Sequence, residues 1–228
     1  MSALTLVVRS NRRATPSTRI LQIDLRGAPF AFEAGQWAAL AVGDAAGQPY
    51  SIACSPRQSR EGDFLEFLIR VEGSGVALAA LRRGTAVRVD GPHGRFRLPH
   101  PFRASHALLV AGGTGIAPLR SMLHELLARP APPHCSLVYS TRARNEFAYL
   151  PELRALARQH QLRLALAVTR DLRAGWKGLS GRIGRAQLAE LLASPDTPCF
   201  VCGPDGFVRD VREALEELGA RWVRAEGQ

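Results

Sequence analysis

The stretch His106–Leu119, HALLVAGGTGIAPL, constrains this chain more than any other. A short apolar run, Ala107–Ala111, ends in Gly112, Gly113 and Gly115, and an amphipathic segment, Ile116–Ala128, follows directly. That order spells strand, tight turn, helix. Glycines without a β-carbon let backbone amides approach a bound group closely, and a helix start carries partial positive charge. Together they make a seat for a pyrophosphate. Gly113 and Gly115 supply the first two glycines of the usual dinucleotide fingerprint, while Pro118 stands at the third position.

A chain of 228 residues suits one large domain or two small ones. With 46% hydrophobic and 22% charged residues it has the makings of a globular core. No apolar run approaches a membrane span, and MSALTLVVRSNRRATP lacks the cationic start and apolar block of a signal peptide. The expectation is a cytoplasmic protein. The net charge of +10 rests almost wholly on arginine, Lys177 being the only lysine. The arginines are dispersed, without interleaved aromatics, which argues against nucleic acid and leaves a surface suited to acidic partners or phosphates. Cys199 and Cys202 form a CxxC within an apolar run, but i and i+3 on a strand point to opposite faces. No metal site is expected.

The first hundred residues alternate and turn. Strands are predicted at Leu4–Val8, Arg19–Leu25, Trp37–Val42, Tyr50–Ala53, Phe64–Val71 and Ala86–Val89, with one short helix at Val76–Leu81. Short strands at this spacing predict an antiparallel β-barrel or sandwich. From about Ser105 apolar runs alternate with helical stretches: Leu108–Ala111 then Ile116–Ala128, Ser136–Tyr139 then Leu150–Gln159, Leu162–Val168 then Arg185–Leu192, and Phe200–Cys202 then Phe207–Leu218. This pattern predicts an α/β parallel sheet with crossovers on both faces. Two domains follow, residues 1–100 and 105–228, joined by the linker Pro99–Ser105.

Three further segments carry chemistry. Gln48-Pro49-Tyr50-Ser51 sets an aromatic beside a hydroxyl at a strand start, and Gly73-Ser74-Gly75 opens the short helix as a second anion seat. Cys202-Gly203-Pro204 ends a strand of the sheet, where ligands sit in open α/β folds. With these in place the chain resembles the ferredoxin–NADP reductase superfamily, including its flavin reductases and oxygenase reductase modules. The resemblance runs from about Leu4 to Trp222. It rests on the order of Tyr50-Ser51, Gly91-Pro92-His93-Gly94, Gly112–Pro118 and Cys202-Gly203-Pro204.

The resemblance implies an N-terminal FAD-binding barrel, with FMN or free flavin as alternatives, and a C-terminal NAD(P)-binding domain. Tyr50 would pack on the flavin ring and Ser51 would bond its N5, the atom that receives hydride. Gln48, Pro49, Ile69, Arg70, Gly73, Ser74 and Gly75 would complete the flavin site. Gln48 stands where the family usually has an arginine that pairs with a flavin phosphate, and Arg70 is the candidate to compensate. The family often has serine or threonine where this chain has Gly75. Gly112, Gly113, Thr114, Gly115 and Pro118 would cradle the nicotinamide dinucleotide, Cys202 would lie near the hydride-donating carbon, and Gly203 and Pro204 would shape the pocket. Thr169 and Arg170, at a neighbouring strand end, would meet the nucleotide, and Trp176 would lie near its adenosine. NADH and NADPH both stay open, as does whether Trp222 or Glu226 reaches the flavin.

The implied activity is hydride transfer from NAD(P)H to flavin, with electrons passed to an external acceptor: an acidic ferredoxin or flavodoxin, an oxygenase component, or free flavin. A non-catalytic electron-transfer subunit is the alternative from a different class.

Overall fold

In the computed structural model, which describes residues 3–171 and 175–227, the alternating first hundred residues form six strands and two short helices. They are β1 (Leu4–Arg13), β2 (Thr18–Asp24), β3 (Trp37–Ala41), β4 (Gln48–Ser51), α1 (Pro56–Gly62), β5 (Phe64–Arg70), α2 (Gly75–Ala79) and β6 (Ala86–His93). The sheet order is β4-β3-β6-β1-β2-β5, antiparallel throughout. A bridge between Ile52 and Phe67, with Ala53 N–H donating to the Glu66 carbonyl at 2.7 Å, ties the two edge strands together and closes the barrel. Alternate residues fill it: Leu6, Val8, Leu21, Ile23, Leu40, Ile52, Leu65, Phe67, Val87 and Val89 are buried inside.

The second half contains β7 (His106–Gly112), α3 (Ile116–Leu127), β8 (His134–Thr141), α4 (Leu150–Arg158), β9 (Leu162–Val168), β10 (Leu179–Ser180), α5 (Arg185–Ala189), β11 (Cys199–Gly203), α6 (Asp205–Glu217) and β12 (Val223–Gly227). Its strands run parallel in the order β10-β9-β8-β7-β11-β12. One face is covered by α3 and α4 through Leu119, Leu123 and Leu153, the other by α5 and α6 through Leu188, Val211 and Leu215. Burial on both faces explains the continuous apolar runs of β7 and β11. The layer beneath α3 also holds Ile20, Ala34, Ala53, Leu68 and Phe96 of the barrel, so the two sheets share one core.

Several bounds differ from those expected. Helix α1 was not expected. Its residues, PRQSREG, carry no apolar stripe, and it is held by a capping box between Ser55 and Gln58 with Pro56 in its first turn. Strand β12 was also not expected, because it is a polar edge strand paired on one side only. Strand β1 runs on to Arg13, and α5 stops at Ala189 rather than Leu192.

Cys199 and Cys202 lie in opposite layers of the sheet. All four cysteines are buried, and burial pushes the thiols of Cys54, Cys135 and Cys199 up to about 12. Among the described residues no helix is long and apolar enough to cross a membrane, and no group of three His, Cys, Asp or Glu converges.

Candidate active site

The strand order reverses at β7, which has β8 on one side and β11 on the other. That reversal opens a crevice at the carboxyl ends of the strands, where α/β sheets bind ligands. Glycine makes the crevice possible. A β-carbon on Gly115 would lie 2.1 Å from the Cys202 carbonyl oxygen, and one on Gly203 3.0 Å from the Gly112 Cα. One on Gly112 would lie 2.8 Å from the Phe207 ring. The ends of β7 and β11 and the start of α3 therefore nest backbone to backbone. Gly113 differs: its φ of +56° is left-handed, and an added β-carbon would meet only the Arg70 guanidinium, at 3.8 Å. It leaves room at the mouth of the turn. Pro118 is the third residue of α3, within the first turn, where amides have no partner inside the helix. The proline costs the helix no hydrogen bond.

A cleft of about 1050 Å³ runs from this turn between the two sheets. Ser17, Thr18, Leu68, Arg70 and Glu72 line it from the barrel, and Gly112–Thr114, Ser140–Ala143, Thr169, Arg170 and Pro204 line it from the parallel sheet. Arg70 bridges the walls: its guanidinium lies 2.8 Å from Glu72 and donates to Thr114 Oγ1 at 3.5 Å. At the outer end, Thr15 and Ser17 hydroxyls donate to Glu146 across the same gap. The far wall is cationic. Arg142 and Arg170 close β8 and β9, joined by Arg170 N–H to the Arg142 carbonyl at 3.0 Å. Arg182 and Arg209 share Asp210 at 3.1 and 3.3 Å.

The expected flavin residues gather on the barrel side. Ser51, Trp37 and His93 sit side by side across β4, β3 and β6. Gly94 packs directly under the Trp37 ring. Tyr50 is half-buried with its hydroxyl 3.5 Å from Ser74 Oγ, so the strand and the turn before α2 meet. A β-carbon on Gly75 would lie 1.9 Å from the Arg70 carbonyl oxygen, which forbids any side chain there. The hydroxyl at Ser74 is the arrangement this backbone allows. Gln48 is half-buried and Pro49 exposed at the start of β4.

Two expected residues have wholly buried side chains. Ile69 is wholly buried in the barrel interior, because β5 alternates and Leu68 and Arg70 take the outward positions. The Cys202 side chain is wholly buried in the shared core beneath the turn, and its carbonyl rather than its sulfur packs on Gly115. Trp176 stacks on Phe147, 5.9 Å between ring centres, and donates to the Leu179 carbonyl. Thr169 donates to the Thr141 carbonyl at 3.4 Å. Trp222 packs edge-on against Phe200 in the core. Glu226 lies beside Cys202 in the sheet register and lines a separate groove of about 560 Å³ with Arg95, Arg97 and Arg224. Burial lifts its carboxyl to about 7.

Sequence reasoning missed Arg120. It lies four residues after Ile116 and three before Leu123, inside the apolar stripe of α3, and a charge at such a position requires buried partners. It is 7% exposed. Its guanidinium donates to the Ala53 carbonyl at 2.8 Å, pairs with Glu66 at 3.2 Å and Glu152 at 2.9 Å, and lies 4.5 Å above the Tyr149 ring. Glu152, bonded to His124 as well as Arg120, is held down at about 2 against the opposing pull of burial.

Residues 109–213 match the oxidoreductase NAD-binding domain family. The chain is 36% identical over 225 residues to ferredoxin–NADP reductase B of Sorangium cellulosum, covering 91% of this chain and 89% of the relative. Other relatives bear the names of cytochrome b5 reductases, an NAD(P)H-flavin reductase and a dioxygenase reductase component. A cytochrome P450 reductase from Amycolatopsis superposes with a TM-score of 0.85 at 26% identity, over 99% of this chain and 69% of that one. A Neisseria gonorrhoeae ferredoxin NADP+ reductase, solved with bound FAD and NADP, superposes at 0.84 with 22% identity over 100% and 99% of the two chains. A barrel and a parallel sheet around a glycine-built crevice, together with a relative matched over nearly its full length, place this chain in the ferredoxin–NADP reductase superfamily of oxidoreductases.

Proposed function

We propose that the chain moves hydride from NADPH to FAD across the cleft and passes the electrons to a separate acidic carrier such as a ferredoxin or flavodoxin. One observation carries this reading: the glycine turn of the parallel sheet and the Arg70 end of β5 in the barrel line one cleft, bridged by Arg70 and Thr114. The donor set fits both groups. Gly113 leaves room at the helix start for a dinucleotide phosphate, and Arg70 brings positive charge to the same cleft.

FAD, when bound, supplies the hydride acceptor and the route to the carrier. The chain's own part is placement. Tyr50 offers an aromatic face, Ser51 a donor at the ring edge, and Gly112–Gly115 a backbone seat for the nicotinamide nucleotide. Arg142 and Arg170 stand at the strand ends where a 2′-phosphate is read, with no acidic residue among Ser140, Thr141 and Arg142 to favour the free ribose hydroxyl. The +10 charge favours encounter with an acidic carrier.

A second reading, reduction of free flavin, is favoured by Gln48, an uncharged amide where the family usually has an arginine that pairs with a flavin phosphate. An absorption spectrum after gel filtration separates the two, followed by anaerobic titration with NADPH and NADH. Protein that stays yellow and is reduced at least tenfold more efficiently by NADPH supports the first reading. Colourless protein that reduces added flavin supports the second. Equal use of both nucleotides overturns the assignment of Arg142 and Arg170.

A further inference from the structure

We propose that Arg120 is a positioning residue that sets the alignment of the nicotinamide seat with the flavin seat, with Ser121 as its neighbour in the same clasp. The inference rests on the reading of the cleft given above. Arg120 lies on α3, the helix that starts at the glycine turn. Its guanidinium reaches three other elements: the Ala53 carbonyl just past β4, Glu66 on β5 and Glu152 on α4. Ser121 donates to the next carbonyl, that of Cys54, at 2.7 Å. Two consecutive side chains of the nucleotide half thus hold two consecutive carbonyls of the segment that leads out of β4, just beyond Tyr50 and Ser51.

The lever arms are short. Arg120 is five residues from Gly115, about 7.5 Å along a helix, and Ala53 is two residues from Ser51, about 7 Å along a strand. Both segments are rigid and regular on the seat side, so a slip at the clasp reaches the seats undiminished. A buried charge cluster is a poor source of net stability compared with apolar packing, but its directional contacts select one geometry. The shared apolar layer around it has no comparable directionality, since aliphatic contacts tolerate sliding. The clasp supplies the register that the core alone leaves loose.

The test compares holoenzyme variants Arg120→Met and Arg120→Lys with the parent. Four quantities are read: the rate of flavin reduction at saturating NADPH, the dissociation constant of NADP+, the long-wavelength nicotinamide–flavin absorbance, and the number of calorimetric unfolding transitions. Misplacement near 1 Å costs about a hundredfold in rate. Arg120→Met is expected to slow reduction tenfold to a hundredfold, to change NADP+ affinity less than about threefold, to weaken the long-wavelength nicotinamide–flavin absorbance, and to split one transition into two. Arg120→Lys keeps the charge but not the fork, and is expected to restore folding more than rate. An unchanged rate, or a rate loss matched by an equal loss of NADP+ affinity, overturns the proposal. If Arg120→Met fails to fold with two carboxylates left unpaired, the triple variant Arg120→Met/Glu66→Gln/Glu152→Gln replaces it under the same criteria. If the parent itself is not reduced by NAD(P)H, the functional reading fails, and the calorimetric comparison still decides whether Arg120 couples the two sheets.

Discussion

On the parallel-sheet side of the cleft the chain offers backbone: Gly112, Gly113, Gly115 and Gly203, three of which press directly on neighbouring chain or ring atoms. On the barrel side it offers side chains, half-buried or exposed: Arg70 reaches Thr114 at 3.5 Å, and Tyr50 meets Ser74 at the same distance. The first wall is fixed by steric exclusion and tolerates almost no change. The second is held by weak polar contacts and can be altered without disturbing the core.

Breaking the rigid wall should have the largest effect. Gly115→Ala sets a β-carbon 2.1 Å from the Cys202 oxygen and 2.7 Å from the Gly203 nitrogen, so two backbone segments must separate. A loss of at least about 3 kcal/mol is expected in a denaturant titration. A variant as stable as the parent would show that the crevice is looser than its geometry. Altering the compliant wall should leave the fold intact. Arg70→Ala removes an exposed pair that contributes little to stability, so the melting temperature should hold within about 2 °C. Its flavin dissociation constant should rise about tenfold, the scale of one charge-assisted hydrogen bond. Unchanged flavin retention would remove Arg70 from the flavin site.

The smallest effect concerns Glu226, on neither wall. Burial raises its carboxyl from 4.5 to about 7, so the folded chain keeps a proton that the unfolded chain releases. That contribution is fully present below pH 4.5 and is lost as pH rises through about 7. Glu226→Gln should therefore match the parent at pH 4 and exceed it at pH 8.5. The gain should be about 1 kcal/mol once partial exposure of the group is discounted. A Glu226→Gln gain that is equal at both pH values would show a packing effect instead.

The two walls also differed in how far the sequence revealed them. The glycine turn and the strand–helix alternation behind it were legible, because each rests on local geometry: period, turn chemistry and the absence of a β-carbon. The reach of Arg70 to Thr114 joins a barrel strand to a turn 44 positions away in the other half of the chain, and no local pattern encodes it. The resemblance implies Ile69 and Cys202 at the site, and the alternation of β5 and the packing beneath the turn bury both side chains, which no motif foretells. The family often has a hydroxyl where this chain has Gly75, and the Arg70 carbonyl beneath Gly75 leaves no room for one. Arg120 left a usable trace, a charge on the buried stripe of an amphipathic helix. Its partners lie on three other elements, and sequence alone could not name them.

A protein that handles electrons lives among oxidants and half-reduced carriers, and sulfur is the side-chain atom they attack most readily. Every cysteine of this chain is buried, and three of the thiols need a pH near 12 to ionise. Only a thiolate reacts at useful rates. The apolar layers that build the two sheets therefore also insulate the chain's own sulfur from the current it carries, and exposure to peroxide should cost this enzyme little before it begins to unfold.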